Sequence, residues 1–334
     1  DLIKLAHRNG VKIGVADYNK NTYVKGLADY AHDISVVDEN SVIELFKREN
    51  YDGIITAFNE MLGPYTSRIA EKLEKPFPFT VEQLKMSTNK KFFKQTCLEY
   101  GIPVPQEYAI TSVNEIYNAK IEYPVIIKPV DSSSSIGVTP CYSAEELVEG
   151  YQNAVEHSRS GDVIIEQYLP YDEINLTYIA QAGDIQLAAI HDRYLNTTQK
   201  SATKAPDLYI YPSRYTDIFI EKYNDLIINM LSGMGIKNGS LFIQAIMHDG
   251  KLYCYEAGIR LNGCKTYQIL EYENDFNTFE HLMEYALTGS MGEYVKFNPK
   301  FKHWYATLNV LGKPGATIGA FKGIEELETY PWLI

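Results

Sequence analysis

Over the first eighty residues, short apolar runs alternate with helical periodicities. An amphipathic helix occupies the opening residues up to Gly10, and a strand follows over 11–16, closing at Asp17. An apolar pulse comes at 34–37, a helix is predicted over 41–50, and Gly53-Ile54-Ile55-Thr56 has the β-branched content of a strand. Strands separated by helices of about ten residues predict βαβ units on a parallel sheet, a Rossmann-like region.

Pro76-Phe77-Pro78-Phe79 marks a linker. Beyond it, Asn89 is placed to cap a helix that Gly101 and the following prolines stop near Tyr100. Tyr123-Pro124-Val125-Ile126-Ile127-Lys128-Pro129 predicts a strand, leading into the serine-rich loop Asp131-Ser132-Ser133-Ser134-Ser135-Ile136-Gly137-Val138. A helix over 143–157 and a strand over 163–166 complete this unit. From 174 the pattern becomes antiparallel: a hairpin over 174–194 turning at Gly183-Asp184, a helix over 217–234, and a hairpin over 240–257 turning at Asp249-Gly250.

Composition narrows the classes of function. The 334 residues carry 31 basic and 43 acidic side chains, a formal charge of −12. An acidic surface repels nucleic acid and anionic membranes, so neither is expected as the main partner. No apolar run is long enough for a membrane-spanning helix. Four scattered cysteines without CxxC pairs read as a reduced, cytoplasmic chain lacking a zinc cluster. The chain does not begin with Met, and a preceding strand is expected before residue 1.

Three places carry candidate chemistry. Lys128 ends an apolar strand beside a loop of serines and a glycine, whose N–H and hydroxyl groups suit phosphate oxygens; a solvated strand end is the alternative. Glu166-Gln167-Tyr168-Leu169 leaves a strand either as a hinge for a purine edge or as an ordinary strand exit, and Glu173 can take ribose hydroxyls. On the second hairpin, Gln244 and Glu256 face one another or sit diagonally according to register, with Arg260 just beyond. An amide oxygen, a carboxylate and a guanidinium suit Mg²⁺ and phosphate; a surface ion pair is the alternative. There is no GxxxxGK[ST], HExxH or GxSxG motif, which argues against P-loop, zincin and α/β-hydrolase chemistry.

Taken in order, these features resemble the ATP-grasp superfamily, in the branch of biotin carboxylase, the carbamoyl phosphate synthetase large subunit and phosphoribosylglycinamide synthetase. The resemblance implies an α/β and α+β architecture. A Rossmann-like pre-ATP-grasp domain (1–80) precedes a two-subdomain ATP-grasp domain (81–290, lid about 110–175), and residues 291–334 are expected to be an incomplete C-terminal segment. Lys90, in Thr88-Asn89-Lys90-Lys91-Phe92-Phe93, matches the first ATP lysine, and Lys128 the second. Ser133, Ser134, Ser135 and Gly137 stand in the loop that closes over the phosphates. Glu166, Tyr168 and Leu169 match the adenine hinge, and Glu173 the ribose-binding acid. Lys200 falls where relatives place a basic residue near the γ-phosphate and the carboxyl substrate. Glu256 matches the Mg²⁺-bridging glutamate, and Arg260 the arginine that steadies the acyl phosphate.

Two positions depart from the pattern. Gln244 stands where the family usually has an acidic metal ligand, and Gly258 where it usually has Asn; Asp192 is a candidate compensating acid. The cofactors implied are ATP and Mg²⁺, with Mn²⁺ as an alternative ion. The implied activity is ADP-forming carboxylate–amine ligation through an acyl phosphate, on small-molecule acids and amines, in a chain whose relatives are often homodimers. Bicarbonate phosphorylation and a catalytically weakened ATP-binding module are the alternatives. Asn59 and Glu60 are candidates for substrate contact by the strand-end rule. A second patch, Asp192-Arg193-Tyr194 with Tyr211-Pro212-Ser213-Arg214, is a candidate carboxylate site.

Overall fold

The computed structural model describes residues 1–132, 135–195 and 206–310, together with 312, 315, 317, 319–327, 329 and 330. The N-terminal region contains α1 (Leu2–Arg8), β1 (Gly14–Ala16), β2 (Tyr30–His32), α2 (Glu39–Arg48) and α3 (Gly63–Lys72). β1 and β2 pair in parallel, Val15 opposite Ala31. The second strand thus lies just before the apolar pulse at 34–37, which itself forms no strand. Residues 53–56 also stay outside any ladder. There the chain runs close against a helix: a β-carbon on Gly53 would stand 2.5 Å from the Ala286 carbonyl oxygen. The predicted linker is not a free tether, because Phe79 is buried in the main core and its ring fills the space a side chain at Gly239 would need.

Two helices follow, α4 (Val81–Thr88) and α5 (Lys90–Glu99). Thr80 and Gln83 form a capping box on α4, and the Asn89 side chain accepts from the Phe92 amide at 3.0 Å to start α5. A four-stranded antiparallel sheet comes next, built from β3 (Glu107–Tyr108), β4 (Val125–Pro129), β5 (Thr139–Cys141) and β6 (Val163–Gln167), in the order β3-β6-β4-β5. The helix α6 (Ala144–Glu156) covers one face. Its apolar residues Leu147 and Ala154 pack with Val125, Ile127 and Ile165.

The larger sheet has six strands, ordered β11-β10-β7-β8-β9-β12, from β7 (Asp172–Gln181), β8 (Asp184–Leu195), β9 (Pro206–Tyr211), β10 (Gly239–His248), β11 (Lys251–Gly258) and β12 (Tyr305–Leu308). Between β9 and β10 the helix predicted over 217–234 is two, α7 (Thr216–Lys222) and α8 (Asn224–Gly233). The interruption falls at Tyr223, whose φ of −127° leaves the helical region. Its hydroxyl donates to the Gly250 carbonyl and accepts from the Leu252 amide, so a tertiary link to the β10–β11 turn overrides local helix preference. One face of the sheet forms the main core with α4, α5 and α8 through residues such as Phe93, Leu176, Tyr178, Met230 and Ile243. The other face packs against α9 (Thr266–Asn274), α10 (Thr278–Thr288) and the segment containing Met291, Phe297 and Phe301. The last helix, α11 (Ile324–Leu327), is exposed.

Packing of α6 on the small sheet sets two effects against each other at Gly150. Alanine improves helix propensity by about 1 kcal/mol. A β-carbon there, however, would stand 2.9 Å from the Ile127 side chain and 3.0 Å from the Cys141 sulfur. Overpacking costs about 1–3 kcal/mol and should win. Gly150→Ala is expected to lower the urea midpoint, and a raised midpoint would show that helix and sheet part freely.

Candidate functional site

The two sheets face each other across a cleft of about 1020 Å³, open solvent at its mouth included. Its lining brings together Lys90, Lys128, Ser135, Glu166, Tyr168, Leu169, Glu173, Gln244 and Glu256, residues spread over 167 positions of sequence. Ser133, Ser134 and Lys200 lie outside the described residues. Gly137, in the same loop, does not line the cleft. Its φ is +76°, and a β-carbon would meet Pro129 and His157 at 2.8 Å, so the turn and the packing both require glycine.

At one end, α5 presents Lys90 and Lys94 one turn apart, both buried. Lys90 donates to the Ser132 carbonyl, at the base of the serine loop. Lys94 donates to Glu166 at 2.8 Å and pairs with Glu107 at 3.2 Å, while Lys128 grips the other oxygen of Glu166. Complete burial of Glu166 would raise its pKa, but Lys128 and Lys94 outweigh that and hold the carboxyl below its usual range. Burial pulls the pKa of Lys90 down, while Glu256 opposes the shift. Asp131, at the same foot of the loop, accepts from the Arg159 and Ser160 amides and from the Ser158 hydroxyl.

Past Glu166 the chain turns out of β6. The Gln167 amide bonds the Gln106 carbonyl at 2.8 Å and the Tyr168 amide the Pro124 carbonyl at 3.1 Å. The Leu169 amide makes no backbone hydrogen bond among the described residues. Ile126, Val138, Leu169 and Ile246 supply the apolar walls there. A flat ring between them would have a free backbone donor at its edge.

The larger sheet fixes the other end by register. Gln244 pairs directly with Glu256, so the two face one another. A bulge follows, since Ala245 pairs with Cys254, and Tyr255 also turns its hydroxyl to the cleft side. That hydroxyl accepts from Arg193 at 2.7 Å and lies 3.0 Å from both the Glu173 carboxylate and the Gln244 oxygen. Arg193 also pairs with Glu173 at 2.8 Å. The cross-strand row continues from Gln244 to Asn175 and His191. Both are fully buried, and among the described residues their side-chain nitrogen and oxygen atoms have no hydrogen-bond partner, nor do the Nε atoms of Arg193 and Arg260. Burial holds the His191 pKa well below its ordinary value, which keeps the ring neutral. Four neighbouring side chains therefore present unsatisfied, mostly donor, groups.

Strand alternation removes Asp192 from this site. It sits on the face opposite Arg193, where Ser213 donates to it and Arg214 lies 3.7 Å away. It cannot act as the compensating acid. For the same reason the second predicted patch is split: Asp192, Ser213 and Arg214 gather on one face, where Arg214 also pairs with Asp172 at 2.6 Å, whereas Arg193 joins the cleft and Tyr211 is core.

Glu60 arrives from the N-terminal region, held near by the bond from the Leu261 amide to the Ala57 carbonyl. Its carboxylate stands 3.9 Å from Arg260 Nε. Burial raises its pKa to about 7, against the pull of Arg260 and with a further push from Glu256. Around the pair, Ala57, Phe77, Phe79, Leu261 and Leu282 line a smaller apolar recess. Sequence reasoning missed Lys94, Tyr255 and the polar pair Asn175–His191. The four-residue spacing from Lys90 was a usable signal for Lys94, whereas the bulge at Tyr255 left none.

The described residues contain no helix long and apolar enough to cross a membrane. Residues 99–227 match the family model described as D-ala D-ala ligase C-terminus. Formate-dependent phosphoribosylglycinamide formyltransferase of Wolinella succinogenes is 27% identical over 183 residues, which are 53% of this chain and 46% of the relative. The carbamoyl phosphate synthase large chain of Clostridium botulinum is 25% identical over 229 residues, 66% of this chain and 21% of the relative. The chain thus spans less than half the length of these curated relatives. Among solved structures, an L-amino acid ligase from Bacillus licheniformis superposes with a TM-score of 0.76 at 18% identity, covering 98% of this chain and 81% of that one. An ADP complex of N5-carboxyaminoimidazole ribonucleotide synthetase gives a TM-score of 0.73 at 18% identity, covering 93% and 78%. The matched domain and the solved structures agree with the order of motifs along the sequence: this chain has the fold of the ATP-grasp ligases.

Proposed function

We propose that the chain is an ADP-forming carboxylate–amine ligase whose nucleotide occupies the cleft between the two sheets. The observation that carries this reading is the convergence of Lys90, Lys128, Leu169, Glu173 and Glu256 on one cavity. Adenine fits the apolar walls beside the free Leu169 amide, and Glu173 is placed for the ribose. Lys90 and Lys128, with the serine loop, then face the phosphates as charge-assisted donors. ADP in one structural neighbour, and MgADP with bicarbonate in the biotin carboxylase domain of Hydrogenobacter thermophilus 2-oxoglutarate carboxylase, support the choice of nucleotide.

A divalent cation is implied by the superfamily. Glu256 with the Gln244 oxygen offers it hard oxygen donors, and bound there it would neutralise phosphate charge. The chain's own groups do the rest. The acid substrate satisfies the Nε atoms of Arg193 and Arg260 and the Asn175 and His191 side chains, and its carboxylate oxygen takes the γ-phosphoryl group as the bond to ADP breaks. An amine then attacks the acyl carbon, inorganic phosphate leaves, and the amine's proton passes to Glu60. Arg260 stabilises the oxyanion formed in between.

Two outcomes are expected. Lys128→Ala should fold, because Lys94 still neutralises Glu166, yet bind ADP roughly tenfold or more weakly in calorimetry; wild-type affinity would remove the phosphate role. Phosphate release from ATP should require both an acid and an amine, and its rate should rise with pH through about 7 as Glu60 loses its proton. Glu60→Gln should lower kcat and flatten that limb. ATP turnover with bicarbonate alone would favour a bicarbonate-phosphorylating enzyme instead, and binding without any turnover a weakened nucleotide module.

A further inference from the structure

A nucleoside triphosphate can be handled with one divalent cation or with two, and the donors in this cleft choose between them. Glu166 is bound by Lys94 and Lys128, and Glu173 by Arg193. Asp131 is consumed by the 158–160 turn. Among the described residues Glu256 is the one cleft carboxylate without an ion pair or hydrogen bond, and no group of three His, Cys, Asp or Glu residues could hold a metal ion. Gln244 brings a neutral oxygen that already lies 3.0 Å from the Tyr255 hydroxyl.

The next rung of the same strand pair is closed to a further ligand. Phe242 stands directly opposite Gly258. A β-carbon on Gly258 would lie 2.2 Å from the tip of the Phe242 ring, so the ring occupies the place where a side chain at 258 would reach the cation. The same ring lies 5.0 Å from the Arg260 guanidinium. The space of one more donor is thus given to an apolar surface that supports a fixed cation.

Charge is consistent with this answer. Lys94 matches Glu166, Arg193 matches Glu173 and Arg260 stands 3.9 Å from Glu60, which leaves Lys90 and Lys128 against Glu256, an excess of one positive charge. A triphosphate holding one divalent cation keeps about two negative charges near neutral pH. The two lysines offset part of the charge that a single ion leaves on the nucleotide.

We propose that this site takes a single divalent cation with its nucleotide, shared by Glu256 and Gln244, and that Lys90 and Lys128 supply part of the compensation a second ion would otherwise bring. The inference rests on the nucleotide-site reading above. Phe242 is then a positioning residue: it excludes a second ligand and props Arg260.

Native mass spectrometry of the chain with AMP-PNP and increasing Mn²⁺ tests this, since each bound species adds its own mass. One nucleotide with one Mn²⁺, constant over a large excess of metal, is the expected result. One nucleotide with two Mn²⁺ overturns the proposal while leaving the nucleotide site standing. No bound nucleotide at any Mn²⁺ concentration overturns the site reading and the count with it. The double variant Phe242→Ala, Gly258→Asn, which clears the ring and adds an oxygen donor, is expected to take a second Mn²⁺. A count still at one, in a variant of wild-type circular dichroism, overturns the role given to the ring.

Discussion

A buried carboxylate has to be matched by positive charge, and Glu166 is matched twice. It is 2% exposed, and its oxygens are taken by Lys94 from α5 and Lys128 from β4. Breaking such a pair typically costs about 3–5 kcal/mol, because the surviving charge stays buried. The double match therefore locks a helix to the end of two strands of the small sheet. That lock sets the floor of the cleft, brings Lys90 and Lys128 onto one side of it, and fixes where the chain turns out at Tyr168 and Leu169. The rest of the proposed nucleotide site is arranged around it.

On the facing sheet the organising element is strand register. Direct pairing of Gln244 with Glu256 and of Glu173 with Arg193 puts acid, amide and guanidinium on one surface. The bulge after Gln244 lets Tyr255 tie three of them together. Such a network is rigid when satisfied. Its unsatisfied extension at Asn175, His191 and the arginine Nε atoms is where the acid substrate is proposed to bind. A rigid proposed nucleotide end beside an incomplete proposed substrate end is what an enzyme that must select one acid would need.

Much of this was legible in the sequence because it is local. The Asn89 cap, the β-branched run ending at Lys128 and the Asp249-Gly250 turn each have a short-range cause, and the elements formed where those signals lay. The parallel pair near the N-terminus was legible in kind but misplaced, since β2 precedes the apolar pulse and residues 53–56 pack on a helix rather than a strand. What the sequence hid depended on distant partners. Tyr223 breaks a helix to reach the β10–β11 turn, a bulge re-aims Tyr255, and alternation alone carries Asp192 away from the cleft. Gly258 read as a departure from the family's usual Asn. In the structure it is the space that Phe242 fills.

The central claim is that the two buried lysines and the Leu169 hinge together define one nucleotide site. A crystal structure of the chain with AMP-PNP and Mg²⁺ tests it most directly. The account predicts a base between Ile126, Leu169 and Ile246, with the phosphates running toward Lys90, Lys128 and Glu256. Nucleotide density away from this cleft, or a base placed at the Glu256 end, would contradict it.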